Sequence, residues 1–325
     1  MVKQAVLLLA HGTPESVEQV SEYLRNVVSG RPLPQAVVEE VQRRYALIGR
    51  SPLTEITFEQ ARMVRAELAA IGSPVPVYVA MRNWRPYIPD VVGRMRTDGI
   101  EEAAVICMAP QNSRTSVGLY ERAVKAEAGG LRIDFTRGWA HHPLLVEAFA
   151  ERLRPAWAKL SVEAGHPVPV LFTAHSVPVH TVQPPTDGRA EPETRHWPGN
   201  SADPYAEEAQ HTAELVAARV PEIPRWWFAF QSQGASGRSW LGPSVEETLE
   251  SISALGTKFL ILQPIGFLCD HVEILFDVDC LFRACAMRLG IRLERPESLN
   301  GSVMLAKAVA DLARQGLKRL EYRVE

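Results

Sequence analysis

The densest chemistry in this 325-residue sequence lies at 264–279, PIGFLCDHVEILFDVD. A strand running into Pro264, a turn at Gly266 and a helix starting near Asp270 are expected there. At 3.6 residues per turn, Glu273 and Asp277 share one helical face, and Asp270 falls three before Glu273, as a cap or on the same side. Carboxylates lined up beside a cleft relay protons or hold a divalent metal ion. The plainer alternative is a solvated acidic helix start, which the helix dipole favours. Ile274, Leu275 and Phe276 weigh against it, because acids in apolar company are costly without a use.

His175 is the matching base. It closes the apolar run LFTAH ahead of Pro178, in the half of the chain that carries Glu273. A lone histidine after a strand is more often structural, but imidazole plus carboxylate is the minimum set for metal handling or acid–base work. His11 closes a similar run, LLLAH, and is expected to face His175 across a cleft. The loop at 230–243, FQSQGASGRSWLGP, is polar and Gly/Ser-rich. It contains neither GxxxxGK[ST] nor GxGxxG, so no nucleotide cofactor is expected. Trp240 and Leu241 either pack this loop or wall a flat apolar ligand. In RRYALIGRSPL (43–53), Arg44, Tyr45 and Ser51 are the groups a carboxylate-bearing ligand needs. A solvated helix end followed by a turn is the alternative.

These residues need a frame, and the pattern supplies one. Short β-branched apolar runs at 5–10, 75–81, 103–108, 131–135, 168–173, 226–230 and 259–263 alternate with amphipathic segments at 16–29, 57–71, 117–128, 205–220 and 245–255. That is the rhythm of βα units around parallel sheets, an α/β fold. A closing helix is expected at 299–317, capped by Asn300 or Ser302. Both halves carry an apolar strand ending in Ala-His with proline three residues on (His11 to Pro14, His175 to Pro178). Each later carries a strand running into proline (Pro110, Pro264). Two similar Rossmann-like halves follow: 1–140, and 141–325 with the His/Glu site and the closing helix. Sites in such sheets lie at the carboxyl ends of strands, where both Ala-His motifs sit. The stretch 183–202 reads as a long loop, either a lid or a solvated insertion.

Composition sets the outer bounds. A net charge of −3 excludes the concentrated basic face of nucleic-acid binders. No apolar run approaches the ~18 to 20 residues of a membrane-spanning helix, and the start of the chain reads as a strand, not a signal peptide. The four cysteines, Cys107, Cys269, Cys280 and Cys285, match neither a disulfide framework nor an iron–sulfur cluster spacing, so reduced thiols in a cytoplasmic protein are expected.

Taken together, AHGTP (10–14), YALIGRSPL (45–53), MRNWRP (81–86), FTAHS (172–176), FQSQ with WLGP (230–233 and 240–243) and the 264–277 block resemble the ferrochelatase family, in order and through almost the whole chain. The resemblance implies two Rossmann-like halves around a porphyrin cleft and insertion of Fe²⁺, as substrate, into the macrocycle in haem biosynthesis. It implies that His175 and Glu273 are the family's paired histidine and glutamate, and that Asp277 is a further acid leading to the surface. Arg44, Tyr45, Ser51 and Tyr120 match positions that contact porphyrin propionates in the bacterial coproporphyrin type. The N-terminal block leans to that type, as does the lack of a C-terminal extension with clustered cysteines. His11 stands where that branch often has tyrosine near the metal, Asn83 where some members have histidine, Val28 where an arginine can occur, and Leu281 where the acidic line can continue. The stretch 183–202 is longer than the usual connection to Asp203 and Tyr205.

Two rivals come from neighbouring classes. A sirohydrochlorin-type cobalt or nickel chelatase relies on more histidines than this cleft offers. A non-catalytic porphyrin or haem carrier would have lost the His–carboxylate pair, yet both His175 and Glu273 are present. A monomer is expected, with porphyrin as its substrate and transient contacts to haem-pathway enzymes.

Overall fold

In the computed structural model the described residues are 2–182, 202–234 and 239–322. The stretch 183–202 therefore lies outside them except for Ala202. The chain divides into two compact units, Met1–Trp139 with Asn300–Glu325, and Ala140–Leu299.

The first unit is organised by β1 (Gln4–Ala10), whose run Ala5–Ala10 is buried on both faces. A strand flanked by neighbours and covered above and below reads as continuous apolar sequence rather than as an alternation. β2 (Val77–Met81), β3 (Glu102–Cys107) and β4 (Arg132–Thr136) complete a parallel sheet ordered β2-β1-β3-β4. Its covering helices are α1 (Val20–Val27), α2 (Gln35–Ile48), α3 (Leu53–Ala70), α4 (Ile88–Thr97) and α5 (Val117–Glu127). Val91, Met95, Val117 and Val124 pack with Leu7, Leu9 and Val105 into one core cluster.

The second unit repeats the plan. α6 (Pro143–Ala164) leads into β5 (Val170–His175), the short α7 (Val179–Val182), α8 (Tyr205–Ala218), β6 (Trp226–Gln231), α9 (Val245–Ala254) and β7 (Phe259–Pro264). A π-helix (Glu273–Phe282) continues into α10 (Arg283–Arg288) and β8 (Arg292–Glu294). The sheet is again parallel, ordered β6-β5-β7-β8, so both sheets place their strands in the order second, first, third, fourth. The fold is thus α/β with two Rossmann-like sheets, as the alternation predicts. α9 opens with a capping box in which Ser244 and Glu247 satisfy each other's backbone N–H groups.

Two expectations need correction. The closing helix, α11 (Val303–Tyr322), packs on the first unit rather than the second, against α3, β3 and β4. Ser302 caps it, its Oγ accepting from Leu305 N at 3.3 Å. At Gly316 a side-chain carbon would lie 2.9 Å from Ala104 Cβ, so glycine is what lets the helix reach β3. Arg319 then clamps buried Asp134 of β4, Nη2 to Oδ2 2.7 Å. These contacts join residues about two hundred positions apart, which local periodicity does not encode. The second correction concerns the helix after Gly266. It begins later than Asp270 and is a π-helix over ten residues, where an α-helix was expected. Such i→i+5 winding is rare and concentrates at functional sites. Among the described residues no helix is long and apolar enough to cross a membrane.

Candidate functional site

The site grows out of the carboxyl end of the second sheet. His175 is the last residue of β5, in register with Gln231 at the end of β6. Gln231 is buried and joins three elements. Its Oε1 accepts from Thr173 Oγ1 of β5 at 2.7 Å, and its Nε2 donates to the Glu273 carbonyl at 3.2 Å. The amide therefore sets the first turn of the π-helix against the sheet. The chain reaches that turn by passing close over β5 at Gly266, where a side-chain carbon would meet Ala174 Cβ at 3.0 Å and its Cα at 3.1 Å.

This placement brings His175 Nε2 to 3.3 Å from Glu273 Oε1. The other imidazole nitrogen, Nδ1, is paired with the Ser176 carbonyl, which fixes the ring orientation in the manner of a supported ligand or base. Tyr205, at the start of α8, donates its hydroxyl to the His175 carbonyl at 2.8 Å. Burial alone would lower the His175 pKa; the facing Glu273 charge and hydrogen bond, with Ser176 and Asp277 in support, outweigh it and raise it to about 9. Burial likewise works against an ionised Glu273, but His175 and His271 hold its carboxyl well below the usual range. The resting pair is an imidazolium facing a carboxylate.

The surrounding groups sort cleanly. Asp277, four residues after Glu273, is buried and accepts from Ser232 Oγ. Ser232 holds a φ of 62°, a left-handed backbone that non-glycine residues seldom adopt. Asp270 does not join this line. Its Oδ1 accepts from Ser298 at 2.6 Å and faces Arg295 at 3.3 Å, while Arg295 also grips Asp279 with Nε and Nη2 at 2.9 and 2.8 Å. Asp270 and Asp279 thus brace the two ends of the segment that carries Glu273. Sequence reasoning missed His271, whose Nε2 lies 3.5 Å from Glu273 Oε2 and whose Nδ1 is paired with the Cys269 carbonyl at 3.0 Å. The signal was its place in DHVE, two residues before the glutamate. Phe267 covers both imidazoles, its ring centroid 6.3 Å from that of His175 and 4.7 Å from that of His271.

Trp240 lies beside the chain leaving His175. The segment around it pairs antiparallel with the one around Pro178, through Val179 N to Ser239 O at 2.9 Å and Leu241 N to Val177 O at 3.0 Å. Its loop is described except for 235–238.

The remaining predicted residues belong to the first unit. His11 follows β1, with Asn83 Nδ2 3.1 and 3.2 Å from its ring nitrogens and Tyr23 edge-on at 5.9 Å. Tyr45 and Ser51 are buried and Arg44 is a third exposed, its Nε on Glu40 at 2.9 Å. Glu40, shared by Arg43 and Arg44, is pulled down to about 2. Tyr120 is buried in the first core, with the Arg82 guanidinium 5.3 Å from its ring centroid, and burial pushes its hydroxyl pKa up. Of the cysteines, Cys107 and Cys269 are buried, which pushes both thiols up to about 12, Cys285 is also buried and Cys280 is exposed.

Two parallel sheets of matching strand order, the second with an imidazole–carboxylate pair at its carboxyl edge, define a two-unit α/β fold. The fold is shared with the cobalt-bound sirohydrochlorin chelatase SirB of Bacillus subtilis subspecies spizizenii, at a TM-score of 0.55 and 12% identity over 98% of this chain and 97% of that one. The chain belongs to the ferrochelatase family, whose sequence pattern, described as Ferrochelatase, matches residues 3–317. It is 56% identical to the ferrochelatase of Acidobacterium capsulatum over 98% of this chain and 96% of the relative. With the coproporphyrin III ferrochelatase of Mycolicibacterium vanbaalenii it shares 35% identity, over 96% of this chain and 89% of that one. The protein is therefore a metal-inserting enzyme of haem and porphyrin biosynthesis, with Fe²⁺ its metal substrate.

Proposed function

We propose that the protein inserts Fe²⁺ into coproporphyrin III, giving coprohaem, in preference to protoporphyrin IX. The observation that carries the reaction is the 3.3 Å approach of His175 to Glu273 at a strand's carboxyl end. Insertion exchanges one divalent ion for two pyrrole protons, so the protein must supply a metal-receiving and proton-accepting group together. His175 and Glu273 are that group. The resting pair already holds one proton, which it must release before it can take the ion or a pyrrole proton. Asp277, buried four residues after Glu273, extends the path by which protons leave. Trp240 grips the flat macrocycle, and Arg44, Tyr45, Ser51 and Tyr120 hold its propionates, a guanidinium suiting carboxylate best. His11 belongs with the porphyrin-binding residues.

Preference for coproporphyrin rests on the coproporphyrin-named relatives and on the Arg44–Tyr45–Ser51 cluster, since four carboxylates on that ring reward more polar contacts than two. Reduced cysteines suit a cytoplasmic monomer without an iron–sulfur cluster. The test is anaerobic insertion of Fe²⁺ into each porphyrin, followed in the Soret and Q bands. A higher kcat/KM with coproporphyrin III supports the preference, a higher value with protoporphyrin IX reverses it, and no insertion into either ring returns the sirohydrochlorin and carrier readings.

A further inference from the structure

Gln231 joins the elements on which His175 and Glu273 stand. It ends β6 in register with His175 of β5, and its backbone carbonyl accepts from Ser176 N at 2.7 Å. Its side chain is buried, the residue being only 1% exposed, and makes three further contacts. Oε1 accepts at 2.7 Å from Oγ1 of Thr173, two residues before His175. Nε2 donates to the Glu273 carbonyl at 3.2 Å and to Ser232 Oγ at 3.4 Å, and Ser232 in turn donates to the Asp277 carboxylate. The backbone carbonyl of Glu273 can only accept, so the amide nitrogen must be the atom that faces it. One amide thus holds the strand that carries His175 at one end and the turn that carries Glu273 at the other.

Accepting on one side while donating twice on the other is what a primary amide offers and a carboxylate, an ammonium or an apolar group does not. Burying that amide costs free energy unless each partner is met, a cost that an apolar filler of similar shape such as methionine would avoid. The spacing it spans is what gives the amide a use. His175 Nε2 approaches Glu273 Oε1 to 3.3 Å from a separate backbone segment, and a displacement of about 1 Å between such groups can cost ~10²-fold in rate. Given the reading of His175 and Glu273 as the group that receives metal and pyrrole protons, we propose that Gln231 is a positioning residue for insertion, its buried amide setting the spacing of that pair. It acts through the backbone of both partners and takes neither metal nor proton itself.

The test is anaerobic Fe²⁺ insertion by the full chain, comparing wild type with Gln231→Met and with Gln263→Met as a control. Gln263 of β7 is a buried amide of the same sheet, 2% exposed, whose Nε2 donates instead to the Phe149 carbonyl of α6 at 2.9 Å. Both variants should lower the denaturation midpoint, but only Gln231→Met should lower kcat, by roughly 10- to 100-fold, with KM for porphyrin within about twofold of wild type. Thr173→Val keeps the side-chain shape and removes only the hydroxyl on Oε1; it should lower kcat about 3- to 10-fold, and it decides the matter if Gln231→Met does not fold. A wild-type kcat in Gln231→Met, or in Thr173→Val where that variant stands alone, overturns the proposal, as does an equal fall of kcat in Gln263→Met. Glu273→Gln, run beside them, separates the two readings. Wild-type insertion there fails the catalytic reading itself, whereas loss there with a wild-type kcat in Gln231→Met fails the positioning role alone.

Discussion

His271 reaches the oxygen of Glu273 that His175 leaves free, Nε2 to Oε2 3.5 Å. One carboxylate thus sits between two imidazoles, each oriented at its other nitrogen by a backbone carbonyl. A group that orients a ligand or base without replacing it typically carries one to two orders of magnitude. We expect His271→Ala to lower the insertion rate by roughly 10- to 100-fold, with porphyrin affinity unchanged by fluorescence quenching. A wild-type rate would reduce His271 to packing beneath Phe267.

The role proposed for His175 and Glu273 carries a pH dependence. His175 is raised to about 9 by Glu273 and its other partners against the opposing pull of burial, while Glu273 stays ionised because its own pKa lies well below the usual range. An incoming cation must displace the imidazolium proton. Apparent metal affinity should therefore rise by about tenfold per pH unit up to pH 9 and then level off. The sign for folding is the reverse: a raised imidazole pKa stabilises the fold fully below the unfolded value, and that contribution fades as pH rises through 9. Co²⁺ titrations from pH 6 to 9.5, read as the difference between wild type and His175→Ala, check the first claim. A pH-independent difference would refute it.

Arg295 holds Asp270 and Asp279 from a nearly buried position, its side chain 12% exposed. Removing one partner of such a group strands the others, a loss of about 3–5 kcal/mol. Arg295→Ala should lower the thermal midpoint by several degrees and depress insertion, because the braced segment carries Glu273. Arg295→Lys should recover part of the stability but not the bidentate grip on Asp279. Equal midpoints for all three proteins would show that the brace is dispensable.

Gly266→Ala tests the close passage over β5. Its new carbon would press on Ala174 Cβ and Cα at 3.0 and 3.1 Å, and neither atom can swing aside. We expect a loss of about 1–3 kcal/mol and a fall in kcat larger than any rise in KM, since Phe267 and the Glu273 turn shift with the loop. Denaturant melts and steady-state kinetics on the same preparation separate the two effects.

Much of this arrangement was legible in the sequence. The β1 and β5 runs, the matching Ala-His ends and the proline-ended β7 follow from apolar runs and turn residues, which are local signals. The sequence pointed to Glu273 and Asp277 as acids inside an apolar helix and to His175 as a histidine closing a strand, and the fold brings His175 to Glu273. The π-helix was not, since i→i+5 winding leaves the same apolar–acidic spacing as an α-helix. Asp270 was misassigned because its partner, Arg295, lies 25 positions further along the chain. The docking of α11 on β3 and β4 depends on Gly316 and Arg319 meeting residues some two hundred positions earlier. The junction of Gln231 with Thr173 and Glu273 was invisible for the same reason, and only a fold brings them together.

The central claim is that His175 and Glu273 act as one unit that receives both the metal and the pyrrole protons. Its most direct test is anaerobic Fe²⁺ insertion by His175→Ala and Glu273→Gln, with porphyrin binding measured in parallel by fluorescence. Loss of insertion by about 10²–10⁴-fold in each variant, with porphyrin affinity retained, is the predicted result. Wild-type insertion in either variant, or loss of porphyrin binding in step with loss of rate, would contradict it.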